Sequence, residues 1–207
     1  MGQVKILNIY PYDSSTKCEI PKVTFYGSAE PPVTIIIPHK CGKPLYPITA
    51  NLNDEVIIVR GGKSIGHARI EGAKAAKNDW LVFMDSDAIY PQDYVTKVKY
   101  FIRNYQYPIM RTVRTGGLRT IPFLESGLVV RKDVFLDRVR DYQGTWYFGE
   151  GRKDVGYLFK RDAKLIPVKY HHSWTELEKK AYNTFKSVAG FITTTYALYN
   201  IVRKVIK

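Results

Sequence analysis

The sequence predicts an α/β fold, a mostly parallel sheet flanked by helices, and three observations predict it. Val33–Pro38 (VTIIIP), Glu55–Val59 (EVIIV) and Trp80–Met84 (WLVFM) are short apolar runs rich in β-branched or aromatic residues. They are oily on both faces, as strands buried between two helical layers must be. Segments with helical spacing separate or follow them, and that alternation is the signature of strand–helix–strand units. Pro, Gly and Asp punctuate the ends of the runs, which fixes where each element stops.

The first 30 residues offer one short strand, Val4–Tyr10, before a polar, proline-containing stretch. After VTIIIP, the segment HKCGKPLYP reads as a loop. Gly61-Gly62 closes the second run, and Ser64 is placed to cap a helix through Lys77. Ile65, Ala68, Gly72, Ala75 and Ala76 give that helix a face of mainly small residues for close packing. Trp80–Met84 follows as the third buried strand, ended by Asp85-Ser86-Asp87. Pro91 suits the first turn of a second helix, whose Val95, Val98, Ile102 and Tyr105 recur at helical spacing until Pro108. Ser126–Arg131 reads as a strand and Lys132–Val139 as a short helix. Thr175 and Glu178 form a capping-box pattern at the head of a long amphipathic stretch, 175–207. Leu177, Ala181, Val188, Ile192, Tyr199, Val202 and Ile206 share one stripe of it, with Lys179, Lys186 and Lys204 nearly opposite.

At 207 residues with 45% hydrophobic content, the chain can bury a core without staples and has no disordered character. Cys18 and Cys41 have no metal-ligand spacing; two reduced thiols are expected, with one disulfide as the alternative. The N-terminus lacks the apolar run of an export signal, so a cytoplasmic location is expected. The net charge of +13 attracts anionic partners: a phosphorylated substrate, nucleic acid or a membrane surface. No arginine-rich arm, zinc finger or aromatic RNA-binding signature accompanies it, and nucleic acid is not the expected partner. The basic group around 111–119 is expected as a solvated loop, with phosphate or an anionic acceptor as the functional alternative.

Asp85-Ser86-Asp87 is where chemistry enters. Ligands of open α/β sheets bind beyond the carboxyl ends of the strands. Two carboxylates there, spaced by a small serine, supply the oxygen ligands that Mg²⁺ or Mn²⁺ takes, with phosphates completing the shell. A solvated turn accounts for the same residues, so the tripeptide needs its context.

That context resembles the GT-A-type glycosyltransferases, particularly the family-2 kind. The resemblance is carried by VTIIIP (33–38), DEVIIVRGG (54–62), SIGHARIEGAKAAKNDWLVFMDSDA (64–88), SGLVVRKDVF (126–135), YFGE (147–150) and YHHSW (170–174). It implies a Rossmann-like catalytic domain over 1–174, with a nucleotide-binding half to about residue 90 and an acceptor half from 91, followed by the 175–207 helical extension. It implies transfer of a sugar from a nucleotide-diphosphate sugar to an acceptor hydroxyl with inversion, dependent on Mn²⁺ or Mg²⁺. Residue by residue, Pro38 and His39 fall at the nucleotide edge and Arg69 near the base or phosphates. Asp85, with Ser86 beside it, falls by the ribose and Asp87 on the metal. His171 or His172 completes the metal shell.

The chain departs from that pattern in three places. Many members carry a base-reading aspartate where this chain has Arg60-Gly61-Gly62, and the asparagine expected after the family's arginine is Ile70. The Gly-Glu-Asp segment that bears the catalytic base is replaced by Gly149-Glu150-Gly151-Arg152-Lys153-Asp154. Both Glu150 and Asp154 are candidate bases, with Asp154 slightly preferred. Trp146 and Tyr147 are candidates for stacking on a sugar or for the core. The acceptor is a glycan, a lipid or a protein, and the C-terminal helix docks on the protein's own core or lies on a membrane surface. Two other functions fit parts of the sequence: a nucleotidyltransferase of related fold, whose glycine-rich first loop is missing, and a nucleic-acid-binding protein, suggested by charge alone.

Overall fold

The computed structural model describes residues 2–12, 18–42, 45–116, 127–140, 159 and 162–172. The chain forms two compact units, Met1–Thr115 with Arg119–His172, and Gly116–Leu118 with Ser173–Lys207. Every described element lies in the first. Its strands are β1 Gln3–Ile9, β2 Val23–Phe25, β3 Thr34–His39, β4 Ile48–Ala50, β5 Glu55–Gly61, β6 Trp80–Phe83, β7 Ile109–Thr115, β8 Leu128–Arg131 and β9 Lys164–His171. The helices are α1 Ile65–Ala75, α2 Tyr94–Tyr105 and α3 Lys132–Arg138.

Seven strands form one sheet in the order β1-β5-β3-β6-β8-β7-β9, and β2 pairs with β4 in a separate two-stranded ribbon. Within the large sheet only β8 runs antiparallel to its neighbours. The expected mostly parallel α/β sheet is therefore present. The apolar runs are oily on both faces because alternate residues feed two cores. Ile35, Ile37, Val56, Ile58 and Val82 face α2 through Val95, Val98 and Ile102. Ile36, Ile57, Val59, Leu81 and Phe83 face α1 and α3 through Ala68, Ala73 and Phe135. A Cβ on Gly72 would lie 2.6 Å from Ile36 Cγ2, so the small-residue face of α1 is what lets the helix sit this close to the sheet.

Local signals set the element ends. Ser64 Oγ accepts from the His67 backbone N–H and caps α1. Helix α2 begins at Tyr94 rather than at Pro91, because Pro91–Asp93 form a turn whose Pro91 carbonyl accepts from Tyr94 N–H. It ends with Gln106 in the left-handed region, two residues before Pro108.

Several expectations need correction. The basic stretch expected as a loop is strand β7 as far as Thr115, with Arg111 exposed and Arg114 buried. Its alternation of charged with apolar residues is a period-2 signal that its charge obscures. The three-residue strands β2 and β4 and the charged strand β9 are not read from the sequence either. Strand β9, at the sheet edge, alternates buried Ile166, Val168 and Tyr170 with exposed Leu165, Pro167 and Lys169, the mark of a strand with one face in solvent. Cys18 and Cys41 are not two thiols but a disulfide. The bond is the alternative the sequence left open, and spacing could not favour it because the segment before β2 crosses the end of β3 and only that crossing brings Cys18 to Cys41. Among the described residues no helix is long and apolar enough to cross a membrane. The 175–207 segment lies outside them.

Candidate metal centre

The chain leaves β3 for β5 on one side, then returns across β3 to β6 on the other, and this reversal opens a crevice at the carboxyl ends of β3 and β6. Asp85, Ser86 and Asp87 emerge there from β6. Met84 still donates its N–H to Ile36 O at 3.1 Å, so the turn starts from paired strand backbone.

Each residue of the turn has its own grip. Asp85 Oδ1 accepts from Arg69 Nη2 at 2.7 Å, in an ion pair buried on the arginine side. Burial pushes the Arg69 pKa down and the Asp85 carboxylate pulls it back up, and arginine stays cationic under both influences. The Asp85 backbone N–H donates to Tyr90 Oη at 2.9 Å. Burial, and then the Asp85 charge, push the Tyr90 phenol well above its ordinary range, which keeps it neutral. Tyr90 stacks on Tyr170 of β9 at 5.1 Å and meets Tyr94 of α2 edge-on at 4.8 Å. Tyr94 in turn hydrogen-bonds Thr112 of β7.

This tyrosine trio fastens the turn to the strand carrying the histidine pair. Ile89 and His171 exchange backbone hydrogen bonds of 2.7 and 2.9 Å, zipping the end of β9 onto the residues just after the aspartates. The zipper brings His172 Nε2 to 3.2 Å from Asp87 Oδ1 and 3.9 Å from Asp85 Oδ2. Ligand atoms of Asp85, Asp87 and His172 lie within 4.8 Å of one another. His171 has the opposite pleat parity, is exposed, and is no part of that cluster. Arg114 Nη2 lies 3.2 Å from His172 Nδ1. Arginine only donates, so this contact needs the tautomer with a free Nδ1, whereas ligation of a cation through Nε2 needs the one with the proton on Nδ1. Arg114 was not singled out in the sequence, and strand parity in β7 is the signal that finds it.

Pro38, His39 and Ser86 lie close by. Pro38 and His39 end β3, with Pro38 half-buried and His39 buried. Ser86 is 4% exposed and meets His39 Nδ1 at 3.2 Å through its hydroxyl. Arg60, which stands where many relatives carry the base-reading aspartate, stacks over Tyr12 at 4.8 Å. Gly61 and Gly62 have φ of +87° and +96°, and a Cβ on Gly61 would lie 2.3 Å from Ile9 O. This departure therefore has a structural cause: the chain after β1 crosses directly over the end of β5, and only glycine leaves it room. Glu150, Asp154, Trp146 and Tyr147 lie outside the described residues.

Two carboxylates and an imidazole are an oxygen–oxygen–nitrogen donor set that suits Mn²⁺ or Mg²⁺. They stand at the crevice where a sheet of this class binds its ligand. Among solved structures the chain is similar to S. aureus TarS 1–349, at 13% identity and a TM-score of 0.46. The match covers 68% of this chain and 60% of that one. It is also similar to the same protein in complex with UDP-GlcNAc, at 15% identity and a TM-score of 0.45, covering 70% and 59%. The chain thus spans about 60% of the length of these structures. No curated protein sequence matches it. The profile of Glycosyl transferase family 2 matches residues 47–200, well over half of the sequence, and the chain belongs to that family.

Proposed function

We propose that this chain transfers a sugar from a nucleotide-diphosphate sugar to an acceptor hydroxyl, dependent on Mn²⁺ or Mg²⁺ and with inversion. The observation that carries the reading is the convergence of Asp85, Asp87 and His172 at the crevice in a chain belonging to Glycosyl transferase family 2. The donor set fits a hard divalent cation, held by Asp87 with Asp85 and His172. When bound, the cation supplies charge that stabilises the departing diphosphate.

The chain's own residues do the rest. Arg69 fixes the Asp85 carboxylate, leaving that residue oriented toward the ribose side of the donor. Pro38, His39 and Ser86 shape the nucleotide edge with Arg69. Arg114 lies beside His172 Nδ1 and packs the ring from the side away from Asp87, and binding of the cation by Nε2 shifts the imidazole proton to Nδ1. The Tyr90–Tyr94–Tyr170 stack keeps water out beneath the turn and ties its backbone to β9. Asp154, or Glu150, takes the acceptor hydroxyl's proton as general base. The half from residue 91 onward receives a glycan, lipid or protein acceptor, and the 175–207 segment is the place for any membrane contact.

Turnover of UDP-, GDP- and dTDP-sugars, with Mn²⁺ and with EDTA, tests the reading. Nucleoside diphosphate released only with the cation supports it, and no release from any donor contradicts it. Asp154→Asn and Glu150→Gln, assayed side by side, separate the two bases. The true base shows a turnover loss of ~10²-fold or more at unchanged donor affinity.

A further inference from the structure

Ser86 lies between two aspartates yet is buried, and its contacts run away from them toward the first part of the chain. Its carbonyl accepts from Tyr46 N–H at 3.0 Å. Its hydroxyl meets His39 Nδ1 at 3.2 Å, and His39 Nε2 meets the Glu19 carbonyl at 2.7 Å. A carbonyl oxygen only accepts, so Nε2 carries the imidazole proton. Nδ1 is then the acceptor, and the Ser86 hydroxyl donates to it. His39 is 6% exposed, and its burial pulls its pKa down, consistent with a neutral ring. Glu19 is adjacent to Cys18, whose sulfur lies 3.2 Å from His39 Nε2. Cys18 is bonded to Cys41, two residues beyond His39. Cys18, Glu19, His39 and Cys41 all precede residues 47–200, the part that matches the family profile.

We infer that His39 is a positioning residue for the aspartate turn, holding Ser86 by its hydroxyl, and that the Cys18–Cys41 disulfide keeps the Glu19 carbonyl where it fixes the His39 ring. The site's affinity for its cation then depends on a disulfide in a segment the family profile does not include. The inference rests on the metal reading above for its consequence, though not for its geometry. Reduction by a phosphine such as TCEP breaks the S–S bond and yields two thiols, phosphorus supplying two electrons and water the two protons and the oxygen of the resulting phosphine oxide. Glu19 is then released from the end of β3.

The test uses the full chain and two readouts. In the first, Mn²⁺ affinity is measured by electron paramagnetic resonance of the free ion. Ser86→Ala and His39→Leu are each expected to weaken it about tenfold, the scale of losing a group that orients a metal ligand. The double variant is expected to be no weaker than either single one, because both remove the same hydrogen bond. His39→Asn, whose Oδ1 takes the place of Nδ1, is expected to recover most of the affinity. TCEP is expected to weaken Mn²⁺ binding by the wild type and leave the Cys18→Ser/Cys41→Ser variant unchanged. In the second, long-range ¹H–¹⁵N spectra are expected to show His39 protonated at Nε2 alone, with Nδ1 shifting in Ser86→Ala and on reduction. Additive losses in the double variant, unchanged affinity in both single variants, or a proton on Nδ1 would overturn the inference. A wild type that binds no Mn²⁺ sinks the metal reading instead, and the spectra still decide the His39–Ser86 bond.

Discussion

Asp85 and Asp87 share a turn but differ in what holds them. Asp85 is half-buried against a fully desolvated arginine, while Asp87 faces His172 Nε2 at 3.2 Å. Removing Asp87 is expected to disturb the proposed metal site most. Both aspartates were legible in the sequence, because an acidic tripeptide ending an oily strand stands out. The choice between His171 and His172 was not, since it depends on the pleat parity of a strand whose lysines hid its period. His39 gives a prediction at this scale. Its pKa in the fold lies below the ordinary value of 6.5, first through burial and then through Arg60, against the upward pull of the Glu19 carbonyl and Asp87. The unfolded chain thus binds more protons just below that value, so stability is full above it and falls as pH drops from about 6.5 toward the folded pKa. Melting temperature against pH in wild type and His39→Asn checks this, and the acid-side loss is expected to be smaller in the variant.

At the scale of elements, two contacts away from the site hold its scaffold. Lys99 of α2 is buried with Asp54 at 2.6 Å and also donates to Ala29 O at 2.7 Å. Asp54 further accepts from Val33 N–H and Asn51 N–H, which fixes the entry to β3 and the turn before β5. Lys99→Met strands a buried carboxylate and is expected to cost about 3–5 kcal/mol in urea unfolding. Adding Asp54→Asn is expected to return part of that loss. At the other end of β5, Gly61→Ala forces a Cβ into Ile9 O and Pro11 O at a left-handed φ. It is expected to destabilise by about 3 kcal/mol, read by the same unfolding curve. The central strands and α1 were legible because burial on both faces leaves few polar residues in them. Strands β2 and β4 are three residues each and β7 and β9 carry charge, so local pattern was too short or too mixed to announce them. The Cys18–Cys41 pairing depends on a chain crossing, which no local pattern encodes.

For the whole molecule, the sheet is a device for bringing residues far apart in sequence to one crevice: His39 from β3, Arg69 from α1, Asp85 and Asp87 after β6, Arg114 from β7 and His172 after β9. The topology that does so follows from a chain reversal at β3, and its class was readable from three apolar runs. The +13 charge belongs to this scale too, and the proposed diphosphate donor is the anionic partner that the described centre best accommodates.

The most direct test of the central claim is a thermal-shift titration of wild type and Asp87→Ala with UDP-, GDP- and dTDP-sugars, with Mn²⁺ and with EDTA. A donor at about 100 times its dissociation constant stabilises the native state by ~2.7 kcal/mol, roughly 5–10 °C for a chain of this size. One donor is expected to give such a shift with Mn²⁺ and to lose it with EDTA. The same loss is expected in Asp87→Ala, whose own melting temperature without ligand stays within a few degrees of wild type. A shift that survives both EDTA and Asp87→Ala, or no shift with any donor, would rule out a metal-dependent donor site at Asp87.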